Sequence, residues 1–248
     1  LFTKKISLKG DLKKVISSGS TTSEWLKRTF VGKKFSDTVY VSSNPYINSR
    51  GVEVIEGIDL TNTFFKIIDV WDIEWNRKYK TVVPSKVSKN SQLIKRMYPE
   101  KKLIIHFMQP HEPYLTIKPH TNSIDREVKR REKSRNKIVN KIRKLLREVG
   151  TVVLGHKNVR KIGTALGLIP LNEIETIAKK YGTKTVKKAY KENLRIVLKE
   201  VVTLSNKLEG NNVITSDHGE FLGEDNYFGH PRNCSDPISR IVPWLELK

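Results

Sequence analysis

An α/β fold with a mostly parallel central sheet flanked by helices on both faces is what this sequence predicts. Three observations carry that reading. Twice a helical pattern runs into a short β-branched segment and then at once into a polar loop. In open parallel sheets the loops at the carboxyl ends of strands carry the functional groups, and both polar loops occupy that position. The chain has 248 residues, 37% hydrophobic, with no internal repeat or low-complexity linker, which fits one domain with a sizeable core.

The elements follow in order. Glu24–Phe30 reads as a helix after the polar run Ser20-Thr21-Thr22-Ser23. Thr38–Ser42 alternates and is β-branched, a strand ending at the turn Asn44-Pro45. Ser85–Tyr98 carries Val87, Ile94 and Met97 on one side of a helix that follows Pro84 and stops at Pro99. Lys101–Phe107 is a buried strand leading into Met108-Gln109-Pro110-His111-Glu112-Pro113-Tyr114. A basic helix is expected to about Val149, with Ile138, Ile142, Leu145 and Val149 on one face. A further helix starts near Leu171 and stops before Gly182. The clearest helix spans Thr185–Leu208, where Val186, Tyr190, Leu194, Val197, Val201 and Leu208 keep the helical period and Gly210 supplies the stop. Asn212–Thr215 is a short strand opening into Ser216-Asp217-His218-Gly219-Glu220.

Charge narrows the partners. There are 47 Lys plus Arg against 26 Asp plus Glu, a formal charge of +21, and eleven basic residues fall within the 22 positions Arg126–Arg147. Such a field attracts phosphate-bearing molecules or an anionic membrane surface; a solvated lysine-rich helix explains the run equally well. No zinc-finger spacing, RNA-recognition signature or basic region joined to heptads accompanies it, so nucleic acid is not the expected partner. The single Cys234 excludes a disulfide framework and a cysteine-based zinc cluster. Apolar runs are too short to span a membrane, and no signal peptide is visible, so the expected location is cytoplasmic or peripheral to a membrane.

The chemistry concentrates in Thr215–Glu224, followed by Gly229-His230-Pro231. An adjacent carboxylate and imidazole at a strand end can direct two ligands at one divalent cation. Gly219 lets the backbone turn sharply, and His230 can fold back over the same place. Taken alone, Asp217-His218 reads equally as a helix cap beside a surface histidine.

The surrounding pattern resembles the sulfatase-like branch of the alkaline phosphatase superfamily. Ser216-Asp217-His218-Gly219-Glu220-Phe221-Leu222-Gly223-Glu224 with His230 is similar to the corresponding stretch of phosphoethanolamine transferases and lipoteichoic acid synthases. Archaeal sulfatase-like proteins look similar over more of the chain, at Gly19–Leu26, Tyr40–Pro45, Met108–Pro113 and Pro243–Glu246. The resemblance implies that Asp217 and His218 bind a metal on the nucleophile side. It implies that His230 and His111 contact the transferred phosphoryl or sulfuryl group, or that His230 serves a second metal. The nucleophile is expected in Ser20–Trp25. Thr22 is the first choice and Thr21 the second, with Ser20 and Ser23 open. Plainer alternatives stand beside them: Thr22 as the N-cap or first-turn residue of the Glu24–Phe30 helix, His111 as a loop packing residue. His106 reads as a core histidine, and His120 and His156 as surface or loop residues.

The residue types suit this chemistry. A threonine hydroxyl needs a metal or base to become nucleophilic near pH 7, and one or two divalent ions (Zn, Mn or Ca) are the implied cofactors. Two histidines opposite can donate to equatorial oxygens or protonate a leaving alkoxide. Two departures from the family pattern matter. Formylglycine sulfatases need a Cys or Ser in Cys-x-Pro-x-Arg, and Cys234 in Asn233-Cys234-Ser235-Asp236 does not match. The family also supplies a carboxylate ligand from a strand before the nucleophile, and nothing like it precedes Thr22; Asp11 lies in a lysine-rich segment. The chain begins Leu1-Phe2-Thr3, so the expectation is one sulfatase-like domain over 1–248 that lacks its first strand and first metal-ligand Asp.

The expected function is therefore a metal-dependent phosphoester hydrolase or phospho-group transferase using a threonine. Its substrate would be anionic, glycan- or lipid-linked, with peripheral membrane contact. The alternatives are a sulfate-ester hydrolase of the same fold, or a non-catalytic anion-binding protein at a membrane surface.

Overall fold

The computed structural model describes residues 8–117, 158–160, 162–164 and 169–247. The basic helix expected over 126–149, His120 and His156 lie outside the described residues. The fold is mixed α/β. Strand β1 (Gly10–Ile16) leads to helix α1 (Thr22–Phe30) and strand β2 (Phe35–Ser42). Strand β3 (Phe64–Asp69), helix α2 (Val70–Ile73), helix α3 (Pro84–Met97) and strand β4 (Lys102–His106) follow. Helices α4 (Glu173–Tyr181) and α5 (Thr183–Ser205) precede β5 (Val213–Thr215). The chain closes with the hairpin β6 (Phe221–Leu222) and β7 (Phe228–Gly229), helix α6 (Pro237–Arg240) and strand β8 (Ile241–Leu247).

Two three-stranded sheets organise these elements. One is parallel, in the order β3-β2-β4. Alternation along β2 sends Tyr40 to one face, against Leu26 and Phe30 of α1, and Val39 and Val41 to the other, against Val87 and Ile94 of α3. Burial on both faces is why apolar side chains stand at three successive positions, Val39, Tyr40 and Val41. Each fully buried side chain of this size contributes roughly 1.5–3 kcal/mol.

The second sheet has the order β1-β8-β5, with β8 antiparallel to both neighbours. The expected mostly parallel arrangement thus holds for three strands, while β5 pairs antiparallel. The reason lies in the connection. Residues 216–240 leave β5 and return to β8 at the same end without a crossover helix, which dictates antiparallel pairing. Leu245 of β8 packs with Leu198 of α5 and Leu8.

This topology positions the polar loops. Because β8 lies between them, β1 and β5 point their carboxyl ends the same way, Ile16 opposite Ile241 and Thr215 opposite Trp244. The segment after Ile16 and the segment after Thr215 therefore emerge side by side. Among the described residues, no helix is long and apolar enough to cross a membrane.

Candidate active site

The first component is the turn between β1 and α1. Thr21 has extended backbone (φ −143°) and caps α1, its hydroxyl accepting from the Glu24 N–H at 3.3 Å. Glu24 reaches back to accept from the Ser20 N–H at 3.0 Å. With Thr21 serving as the cap, Thr22 is the first helical residue and its hydroxyl is free to point elsewhere. It donates to Asp217 Oδ2 at 2.6 Å, and His218 Nε2 lies 3.3 Å from the Thr22 hydroxyl oxygen.

The second component follows β5. Ser17 Oγ donates to the Asp217 carbonyl, tying the end of β1 to the loop after β5. Gly219 passes so close to α6 that a Cβ there would stand 2.0 Å from the Ile238 carbonyl oxygen. Burial works to raise the Asp217 pKa, but His218, His106 and the Thr22 hydrogen bond outweigh it and hold the carboxyl below its ordinary value. His218 Nδ1 lies 2.9 Å from the Gly219 carbonyl, which only accepts. The proton of a neutral ring therefore sits on Nδ1, and the Nε2 lone pair faces Thr22 and Asp217.

The third component brings two distant loops together. His111, in the loop after β4, and His230, after β7, place their Nε2 atoms 3.0 Å apart. Glu220 Oε1 lies 3.4 Å from His111 Nε2, and its side chain is 4% exposed. Donor atoms of His111, Glu220 and His230 all fall within 4.8 Å of one another, a geometry able to hold a metal ion. The His218 and His230 rings, 4.3 Å apart, join this cluster to the Thr22–Asp217 pair.

Electrostatics in the cluster are uneven. Burial lowers the His111 pKa, yet Glu112, Glu220 and Asp217 together raise it to about 9. Glu220 is raised to about 8, chiefly by burial, with His111 opposing and Glu112 and Asp217 adding. His230 is pushed down to about 2 by burial and by the neighbouring His111 and His218. Buried Glu220 Oε1, Glu112 Oε2 and His230 Nδ1 have no hydrogen-bond partner among the described residues. Unpartnered buried donors and acceptors of this kind suit a bound cation or substrate oxygen.

The five residues expected to act together, Thr22, Asp217, His218, His111 and His230, converge. Thr21 and Ser23 face each other at 3.0 Å instead. Ser20 Oγ lies 2.8 Å from the Pro231 carbonyl. Sequence reasoning missed Glu220, although it directly follows Asp217-His218-Gly219. It also missed Asn193, which is fully buried in α5. The Asn193 Oδ1 accepts from the Leu115 N–H at 2.9 Å, and its Nδ2 lies 3.1–3.4 Å from the carbonyls of Pro110, His111 and Pro113. A lone Asn on an apolar helix face was the available signal. His106, expected in the core, is partly buried at the end of β4, 2.8 Å from the Tyr40 hydroxyl and close enough to Asp217 to influence its ionisation.

No family model and no curated protein matches the chain. Among solved structures it is similar to the soluble domain of lipooligosaccharide phosphoethanolamine transferase A from Neisseria meningitidis. The likeness has a TM-score of 0.44 and 14% identity and covers 91% of this chain and 54% of that one, so the chain spans about half the length of that structure.

Proposed function

We propose that this protein is a metal-dependent phosphoester hydrolase or phospho-group transferase in which Thr22 is the nucleophile. The observation that carries this reading is the Thr22 hydroxyl bonded at 2.6 Å to a half-buried carboxylate 195 residues away. A helix cap has no need of such a partner, and Thr21 already fills that role.

The donor set fits a divalent ion. Thr22, Asp217 and His218 would hold one, through two oxygens and an imidazole lone pair, and His111, Glu220 and His230 would hold a second. When bound, such ions lower the pKa of a coordinated hydroxyl and offset charge on transferring oxygens.

The protein's own groups have distinct tasks. Asp217 Oδ2 accepts the Thr22 proton as the threonine oxygen bonds to phosphorus and the ester P–O bond breaks. His218, fixed by Gly219, keeps its lone pair toward the threonine. Where no second ion is bound, His111, protonated at neutral pH, offers Nε2–H to the oxygens of the group in flight or to the leaving alkoxide. His230 stays neutral beside it. The formal charge of +21 suits an anionic substrate, including a lipid- or glycan-linked one.

The test is turnover of p-nitrophenyl phosphate and bis-p-nitrophenyl phosphate with added Zn, Mn or Ca, beside p-nitrophenyl sulfate. Phosphate esters should turn over faster than the sulfate. Thr22→Ala and Asp217→Ala should each lower kcat by on the order of a hundredfold or more. A phosphothreonine peptide containing Thr22 should be trapped by acid quench. Activity that survives both substitutions together rejects the mechanism.

A further inference from the structure

A cavity of 430 Å³ opens on the other side of the first turn of α1. Ser23, Glu24, Lys27, Arg28, Ile55, Ile58, Arg232 and Asn233 contribute to its walls. Two of its walls belong to the segments that build the candidate active site. Ser23 and Glu24 directly follow Thr22, and Arg232 and Asn233 come two and three residues after His230.

These walls are fastened to each other. Asn233 N–H donates to Glu24 Oε1 at 2.5 Å, and Cys234 N–H donates to Ser20 Oγ at 3.1 Å. The other Glu24 oxygen takes the Ser20 N–H. Both oxygens of Glu24 are thus engaged by backbone donors, so its charge braces the wall instead of facing the cavity as a free carboxylate. Glu56, the other acidic residue in the lining, is exposed on the rim.

The cations are differently placed. Among the described residues, neither Lys27 nor Arg232 forms an ion pair or hydrogen bond. Arg28 donates to the Ser18 carbonyl at 2.6 Å and keeps its charge. The same lining includes the partly buried Ile55 and the buried Ile58, which belong to the apolar core. Exposed cations and buried hydrocarbon in one cavity match a ligand with a negative head and an apolar arm.

We infer that this cavity is a substrate subsite that binds a second anionic group, a phosphate or carboxylate carried on an apolar arm, on the part of the substrate that is not transferred. The inference rests on the phosphoester reading for the word substrate, but the binding it describes does not require turnover. Lys27 and Arg232 hold the charge, and Ile55 and Ile58 receive the arm.

The experiment is calorimetric titration of the full chain with hexyl phosphate and, separately, with glucose 1-phosphate. The first has an apolar arm and the second a polar one. Hexyl phosphate should bind about tenfold more tightly. Its affinity should fall about tenfold or more in Lys27→Ala/Arg232→Ala and in Arg232→Glu, and persist in Asp217→Ala. Both altered side chains are exposed, and an unchanged thermal melt confirms folding. Equal affinity for the two phosphates overturns the apolar arm. Affinity unchanged by the Lys27 and Arg232 substitutions, or lost only in Asp217→Ala, overturns the subsite and leaves the phosphoester reading standing. Failure to turn over any ester, with the Lys27 and Arg232 effects intact, overturns that reading and keeps the cavity as an anion site.

Discussion

Two adjacent threonines with different tasks give the sharpest residue-scale test. Thr21→Ala removes a helix cap and should lower stability by about 1 kcal/mol in urea denaturation, with kcat retained within about twofold. Thr22→Ala should do the reverse, leaving stability nearly unchanged and removing turnover. Equal loss of kcat in both would contradict the division of labour. The histidine cluster makes a second prediction, for the metal-free protein. Between pH 6.5 and about 9 folded His111 holds a proton that the unfolded chain lacks, and up to about 8 so does Glu220. The folded state binds more protons there, so stability falls as pH rises through this range. The melting temperature should drop from pH 6.5 to 9, and His111→Gln should flatten the slope. The depressed pKa of His230 acts in the opposite direction, favouring the fold above its unfolded value near 6.5 and weakening it as pH falls toward 2.

Elements were legible where one physical signal dominated. The expected helices over 85–98 and 185–208 differ from α3 and α5 by only a few residues, because their apolar period is set by one buried face. Strands β2 and β4 were readable because β2 is rich in β-branched residues that alternate around Tyr40 and β4 carries the short apolar run Leu103-Ile104-Ile105, as strands of a parallel sheet do. Strands β1 and β8 were not. Gly10-Asp11-Leu12-Lys13-Lys14-Val15-Ile16 is largely exposed and charged, as an edge strand tolerates, and shows no alternation. In β8, Pro243 argues against a central strand, yet it is accommodated because it pairs with Lys14 on one side only, β5 ending opposite Trp244. The motif resemblance pointed to Asp217, His218 and His230, which the fold brings together, whereas Glu220 and Asn193 join them only through packing. Asn193 supports a prediction at this scale. Asn193→Leu, close in size, leaves the Leu115 N–H and three carbonyls without their side-chain partner. It should cost about 3 kcal/mol in denaturant unfolding and lower kcat by loosening the loop that carries His111. Unchanged stability would show that the loop is held by other contacts.

For the whole molecule, the excess of positive charge governs encounter more than fold. The Debye length shrinks from about 10 Å at 0.1 M salt to about 3 Å at 1 M. KM for an anionic ester should therefore rise severalfold across that range while kcat moves little. A salt effect confined to kcat would place the charge effect inside the site instead. The two sheets also divide the work. The parallel sheet delivers His106 and the His111 loop, and the antiparallel sheet delivers Thr22 and Asp217, so neither sheet by itself holds a complete set of groups.

The position of β8 between β1 and β5 sets an order of events during synthesis. Thr22 emerges from the ribosome early and Asp217 late, and what aligns them is a strand translated after both. Pairings this distant in sequence are slow to close, because loop entropy is lost before contacts compensate for it. A nascent chain that has not yet released Ile241–Leu247 lacks the strand that sets Thr22 against Asp217. On the proposed mechanism, competence for chemistry is acquired late, and in refolding experiments the rate at which turnover returns should follow docking of β8, not formation of the helices.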